Sequence, residues 1–168
     1  MAIVPSAAAG LRAAPRATIV QLRAPELSTR ELERQALHLV GSSSLPVLVS
    51  SRCDVALACE AAGVNLPERD IPTIGARVLL GQKLIGRSVH SLETAMEAER
   101  DGADFVIFGP VWRSESHPNV EPVGVDALAR VASAVHIPVL AIGGVTDERA
   151  ATCSSAGAAG YAAIGLFK

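Results

Sequence analysis

The sequence predicts an α/β fold of one kind, a compact (β/α)8 barrel in which eight parallel strands close on themselves inside a ring of helices. Three observations carry the prediction. Short β-branched or apolar runs alternate with helical patterns at about 20 residues per unit, and such alternation produces a parallel sheet with right-handed crossovers. The runs number eight, which favours closure over an open doubly wound sheet, the alternative architecture. One run, Ile137-Pro-Val-Leu-Ala-Ile142, is apolar throughout, as a strand covered on both faces should be. At 168 residues the chain is short against the roughly 250 typical of such barrels. Its loops must therefore be minimal, its first helix shortened and a helix after the eighth strand absent, with residues 1–168 forming one domain.

Taken in order, Ala2 to Val4 is a short apolar strand stopped by Pro5. Ser6 caps a short helix over Ala7 to Ala14 that Pro15 breaks. Thr18 to Arg23 is a β-branched strand, and Ser28 with Glu31 forms a capping box that opens a helix through Val40. Leu45 to Val49 is the third strand. Asp54 caps a helix through Glu60, closed by Gly63, and Val64 to Leu66 is the fourth strand. Pro72 opens a helix to Leu80 that Gly81 ends. The central unit follows: strand Lys83 to His90, helix Leu92 to Asp101, and a strand within Ala103 to Trp112. A Ser/Pro-rich loop (Arg113 to Pro122) leads to a helix from Val125 to Val135. After the strand to Ile142, Asp147 caps a helix ended by Gly157, and Gly160 to Ile164 is the last strand.

Composition narrows the function. Aromatics are 3% of the residues, too few for a base-stacking platform. The net charge of -2 comes from interspersed signs, so neither a nucleic-acid surface nor a disordered acidic tail is indicated. Cys53, Cys59 and Cys153 lack metal-ligand or redox spacing and read as small buried thiols. No apolar run approaches the ~20 residues of a membrane span. A cytoplasmic protein acting on small molecules is expected, without nucleic-acid or membrane partners, and a homo-oligomer is possible.

Ligands of parallel α/β folds bind at the C-terminal ends of strands, so the residues there are the candidates. Gly143-Gly144 and Gly165-Leu166 follow the seventh and eighth strands, where barrels often hold phosphate on backbone N–H groups; the competing reading of the glycine pair is a tight turn. Gln21 and Arg23 end the second strand, and Arg23 suits a second anionic group, or else is a surface arginine. Ser114-Glu-Ser116 lies over the sixth strand end and offers hydroxyls to an oxyanion. His90 is either an acid/base or a structural histidine. Asp70 is either a turn former or a Mg2+ ligand.

The combination Gln21-Leu-Arg23, GRSVHSLE (86–93), GADFVIFGPVW (102–112), Pro122-Val-Gly124 and IPVLAIGGVT (137–146) resembles the thiamine phosphate synthase/TenI superfamily. The resemblance implies a (β/α)8 barrel that joins a pyrimidine methyl diphosphate to a thiazole phosphate, with Mg2+ as cofactor and diphosphate as leaving group. It implies substrate roles for Gln21, Arg23, Ser88, Ser114, Ser116, Gly143 and Gly144, and metal binding by Asp70. Several positions depart from the pattern: Pro25 and His117 stand where lysines are expected, Ser50-Ser51 replace an Asn-Asp pair, and Gly165 replaces a serine. These changes strike the diphosphate half of the site, so weak synthase activity is expected. Two alternatives stay open. One is a TenI-like thiazole tautomerase using His90 or His117; the other is a non-catalytic phosphate-binding or regulatory descendant.

Overall fold

The computed structural model describes residues 1–114 and 119–167. Its elements run β1 (Ala2–Val4), α1 (Ala7–Ala13), β2 (Val20–Leu22), α2 (Thr29–Ser42), β3 (Val47–Ser50), α3 (Cys53–Ala58) and β4 (Gly63–Leu66). They continue α4 (Thr73–Leu80), β5 (Leu84–Val89), α5 (Leu92–Arg100), β6 (Phe105–Phe108), α6 (Val125–Ala134), β7 (Val139–Ile142), α7 (Asp147–Ser155) and β8 (Gly160–Ala162). Every neighbouring pair from β1 to β8 is parallel, and the strands lie in sequence order. The seam closes through an Ala2–Ala163 bridge, with Ile3 N–H donating to Ala163 O at 3.0 Å. The architecture is a (β/α)8 barrel, not an open sheet. Its first helix is seven residues long and passes into a 3-10 turn at Ala14–Arg16, where Pro15 sits. No helix follows β8 among the described residues.

Side-chain alternation sorts the core into layers. Ile3, Leu48, Phe105, Ile107 and Ala162 fill the barrel interior, with Leu140 and Ile142 packed against them. Two outer clusters lie between sheet and helices, one around Leu22, Leu39, Val49 and Leu66, the other around Phe108, Leu128 and Val139. Gly86 makes the interior possible. A Cβ there would lie 2.2 Å from the Phe105 ring and 2.7 Å from Asn65 Oδ1. At the N-terminal end of the barrel Arg77 donates to the carbonyls of Gly81, Lys83 and Gly102 and pairs with Asp104 at 2.7 Å. Asp104 in turn accepts from Ile85 N–H, which ties α4, β5 and β6 together.

The helix caps differ from the sequence reading at both ends of α3 and at the start of α7, and the box at α2 is half formed, each for a local reason. Ser28 does cap α2, accepting from Glu31 N–H. The Glu31 carboxylate, however, is taken by Arg34 at 2.8 Å and Gln35 at 3.0 Å, so the reciprocal half of that box does not form. The complete capping box is at Ser91 and Thr94. Asp54 does not cap α3: it lies inside the first turn, held by Arg52 at 2.8 Å. The chain leaves α3 through Glu60, at φ 54°, and Gly63 belongs to β4. Thr146, not Asp147, caps α7.

Candidate active site

All eight strands point their C-terminal ends at one face, and there the barrel mouth opens into a cavity of about 890 Å³. Gln21, Arg23, Ser50, Ser88, His90, Ser114, Gly143, Gly144, Gly165 and Leu166 line it. Two sequence candidates do not. Ser51 is turned away at φ 66° with its N–H on Asn65 O, and Asp70 uses Oδ1 to accept from Ile71 N–H at 2.7 Å. The reason for Asp70 is Arg87, which donates to the Ile71, Glu68 and Asp70 carbonyls and folds this loop back over β5. Ser116 and His117 lie outside the described residues.

The floor of the cavity is polar in an otherwise apolar barrel. Gln21 and Asn65 are buried, yet Gln21 Oε1 and Asn65 Oδ1 have no hydrogen-bond partner among the described residues. A buried acceptor without a donor costs about 1–3 kcal/mol, so each of these oxygens would gain from a donor brought to the cavity floor. Asn65 Nδ2 donates to Ser88 Oγ at 3.1 Å. Ser88 therefore spends a lone pair on Asn65 and keeps its own O–H as a donor. Sequence reasoning missed Asn65; its only trace was a lone polar residue inside the apolar fourth strand.

The opposite wall is made of the loops after β7 and β8. Gly143 and Gly144 have φ of 91° and 63°, the left-handed region where L side chains are strained. A Cβ at Gly143 would lie 2.5 Å from Pro110, and one at Gly144 2.5 Å from Arg113 O, so the loop packs tightly on the β6 loop. Among the described residues the N–H groups of Gly144, Val145, Gly165 and Leu166 donate to no backbone carbonyl, and the N-terminus of α7 stands beside them. Two arginines fasten the assembly. Arg149 donates to Gly144 O at 2.6 Å with its guanidinium 5.1 Å from the Trp112 ring centroid, a cation–π distance. Arg16 donates to Leu166 O at 3.0 Å and pairs with Asp147 at 3.6 Å, joining the loops after β7 and β8. Neither arginine stood out in the sequence, because each lies outside the quoted motifs and acts on a backbone carbonyl. At the same rim the Thr146 hydroxyl, and after it backbone N–H, hold the Glu148 carboxyl below its usual range.

Cations and acid/base groups are few. Arg23 is exposed and makes no ion pair among the described residues, whereas Arg113 lies 3.5 Å from Glu121. His90 Nδ1 contacts Gly109 O, and His90 N–H donates to Glu68 Oε1 at 3.1 Å. A carbonyl can only accept, so Nδ1 carries a proton and is fixed on Gly109 O. The three cysteines are buried free thiols. Burial pushes their pKa values up, which keeps them protonated and inert.

Along nearly its whole length the chain is similar to a known group of proteins. The family model described as thiamine monophosphate synthase matches residues 3–167. The chain belongs to that family. It is 41% identical over 152 residues to a thiamine-phosphate synthase of Chloroflexus aurantiacus, covering 88% of this chain and 70% of the relative. A thiamine-phosphate synthase of Clostridium acetobutylicum is 38% identical over 151 residues, covering 88% and 72%. Among solved structures, a thiamine phosphate pyrophosphorylase from Pyrococcus furiosus superposes with a TM-score of 0.88 at 32% identity, covering 97% of this chain and 83% of that one. The resemblance read from the motifs and the barrel read from the strand count are thus both borne out. No helix among the described residues is long and apolar enough to cross a membrane.

Proposed function

We propose that this protein joins a pyrimidine methyl diphosphate to a thiazole phosphate with release of diphosphate. The observation that carries the reading is the pairing of two buried acceptors, Gln21 Oε1 and Asn65 Oδ1, with N–H groups on the loops after β7 and β8, both without partners among the described residues. An aminopyrimidine supplies the N–H donors that the floor lacks, and a thiazole phosphate supplies the anion that the wall accepts.

The chemistry asks little else of the protein. The bond between the pyrimidine methylene carbon and the diphosphate oxygen breaks, and its electron pair leaves with the diphosphate. The thiazole nitrogen then gives its lone pair to the methylene cation, forming the C–N bond of a thiazolium. No proton must move, so the site works by orientation and by charge stabilisation. Ser88 O–H and Arg23 are the described side chains placed to meet the developing negative charge. Mg2+ enters this reading as an ion carried with the diphosphate, which it partly neutralises. The residues that the resemblance assigns to this ion do not fit it here, because Ser51 and Asp70 lie off the cavity lining and Asp70 Oδ1 is taken by Ile71 N–H. Among the described residues no three acidic, histidine or cysteine side chains form a metal cluster. Charged phosphorylated substrates also go with a cytoplasmic location.

A second reading rests on His90. Its Nδ1 is fixed on Gly109 O and the ring lines the cavity, a placement that suits proton transfer through Nε2 on a thiazole carboxylate phosphate. The two readings separate in one experiment, stoichiometric enzyme mixed with both synthase substrates and followed by mass spectrometry. The synthase reading expects slow formation of thiamine phosphate that His90→Ala leaves in place. Absence of product after prolonged incubation, with the pyrimidine diphosphate still bound, would overturn it.

A further inference from the structure

The loop after β7 is held at two successive peptides, and both anchors come from outside it. Trp112 N–H donates to Gly143 O at 3.0 Å, and Arg149 donates to Gly144 O at 2.6 Å. In a planar trans peptide the N–H of one residue points opposite the C=O of the residue before it. Holding Gly143 O and Gly144 O therefore directs the N–H groups of Gly144 and Val145 away from both anchors. These two N–H groups have no backbone acceptor among the described residues.

Arg149 is anomalous where it stands. It is the third residue of α7, and a cation in the first turn opposes the helix dipole. It makes no ion pair among the described residues, so it does not serve to neutralise a carboxylate. Its guanidinium lies 5.1 Å from the Trp112 ring centroid instead, within cation–π range. Trp112 is half-buried and packs on the cluster around Phe108, Leu128 and Val139, which makes it a firm base. One residue thus serves both peptides: its backbone holds the first carbonyl, and its ring holds the arginine that holds the second.

We propose that Trp112 and Arg149 form a lock that sets the affinity of the β7 loop for phosphate, with Arg149 a positioning residue acting through Gly144 O. On the reading of this wall as the thiazole phosphate site, part of the affinity for that substrate belongs to a side-chain pair that does not meet it. Arginine suits the role because its planar fork stacks on an aromatic face and donates from its edge at the same time. The stack also ties the β7 loop to the β6 loop, where Ser114 lines the cavity two residues after Trp112.

Calorimetric titration of folded variants tests the lock. Arg149 is exposed, so Arg149→Ala should keep the circular dichroism melt of the unmodified protein. Arg149→Ala and Trp112→Leu should each bind thiazole phosphate roughly tenfold more weakly, a loss the size of one hydrogen bond to a charged group. The double variant should be no weaker than either single one, because both break one lock, and affinity for the pyrimidine diphosphate should stay within about twofold. A general loosening of the fold would lower both affinities. Trp112 is the single tryptophan, so its emission reports the stack: it should shift in Arg149→Ala and return on addition of guanidinium at concentrations well below denaturing ones, with part of the binding restored. Normal thiazole phosphate binding by both single variants overturns the proposal. So does a weak Arg149→Ala beside a normal Trp112→Leu, which would mean that Arg149 meets the anion through its charge. Inorganic phosphate, titrated in parallel, separates the lock from the substrate reading. An unmodified chain that takes phosphate but not thiazole phosphate overturns that reading alone, with the lock then judged on phosphate; a chain that takes neither overturns both.

Discussion

Gly165→Asp isolates the anion proposed to lie over the loops after β7 and β8. A Cβ at Gly165 meets no atom within 4 Å and the residue is exposed, so the new side chain costs the free protein little. Gly144→Asp is a poorer probe. There φ is 63° and the Cβ would come 2.5 Å from Arg113 O and 2.8 Å from Trp112 Cβ, mixing loop distortion with charge. A phosphate on the loop amides would sit on the order of 6 Å from a carboxylate at 165, where two unit charges repel by about 3 kcal/mol at an effective dielectric of 20 and about 0.7 kcal/mol in water. Exposure lowers the value and the second phosphate charge raises it, so about 1–2 kcal/mol is expected, roughly a five- to thirtyfold loss of affinity. Calorimetric titration with thiazole phosphate should find Gly165→Asn close to the unmodified protein and Gly165→Asp weaker. The gap should narrow as salt rises. Equal binding by the Asp and Asn variants at low salt would refute the placement of the anion.

Three other outcomes follow from the same structure. Pro25→Lys with Ser51→Asp should raise diphosphate release at least tenfold, since one well-placed electrostatic group is commonly worth ~3 kcal/mol. Ser51 already has φ 66°, a conformation that aspartate tolerates better than most residues, and a steady-state rate no higher than that of the unmodified protein would count against the diphosphate assignment. Arg77→Ala removes donors from three carbonyls and leaves Asp104 without its cation; urea unfolding should show a loss of about 2 kcal/mol, discounted for partial exposure. Stability should also fall on acidification. Arg34 and then Gln35 hold the Glu31 carboxyl at about 2, from an ordinary value of 4.5, and Arg52 lowers that of Asp54. A depressed carboxylate stabilises the fold above its unfolded pKa and loses that contribution as pH drops toward the folded one. The urea midpoint should therefore decline below pH 4.5, and Glu31→Gln should flatten the decline.

How far the sequence reached can be traced residue by residue. The strands were legible because β-branched runs and turn residues recur with the period of the barrel, and all eight lie where those runs are. The helix caps were read less well, since a cap depends on which donor a side chain finally faces. Asp54 looks like a cap until Arg52 captures it, and Glu31 like half a box until Arg34 and Gln35 do. In the cavity, Gly143 and Gly144 were legible because a glycine pair after an apolar strand constrains its own backbone. Asn65 was not, because its meaning lies in a contact with Ser88 on the next strand. The direction of Asp70 was not either, because Arg87 sets it from 17 residues away.

The same distinction bears on which half of the cavity is complete. The wall proposed to take the thiazole phosphate is made of backbone N–H groups, and its shape is held by φ values at Gly143 and Gly144 and by arginines acting on carbonyls. Replacing a neighbouring side chain leaves those donors in place, so a serine-to-glycine change at Gly165 keeps its N–H. The diphosphate half depends instead on side-chain charge. Proline at Pro25 and serine at Ser51 each delete a charge outright, and no described side chain replaces them: Arg113 faces Glu121 and Arg149 is spent on Gly144 O. Arg23 alone remains uncommitted among the described cavity arginines. Binding of the thiazole phosphate is therefore expected to outlast the loss of diphosphate chemistry, and the first group to remove in testing that order is the Arg23 guanidinium. Arg23→Met should abolish residual turnover while leaving thiazole phosphate affinity within about twofold of the unmodified protein. A parallel fall in both would mean that one anion site, not two, serves this cavity.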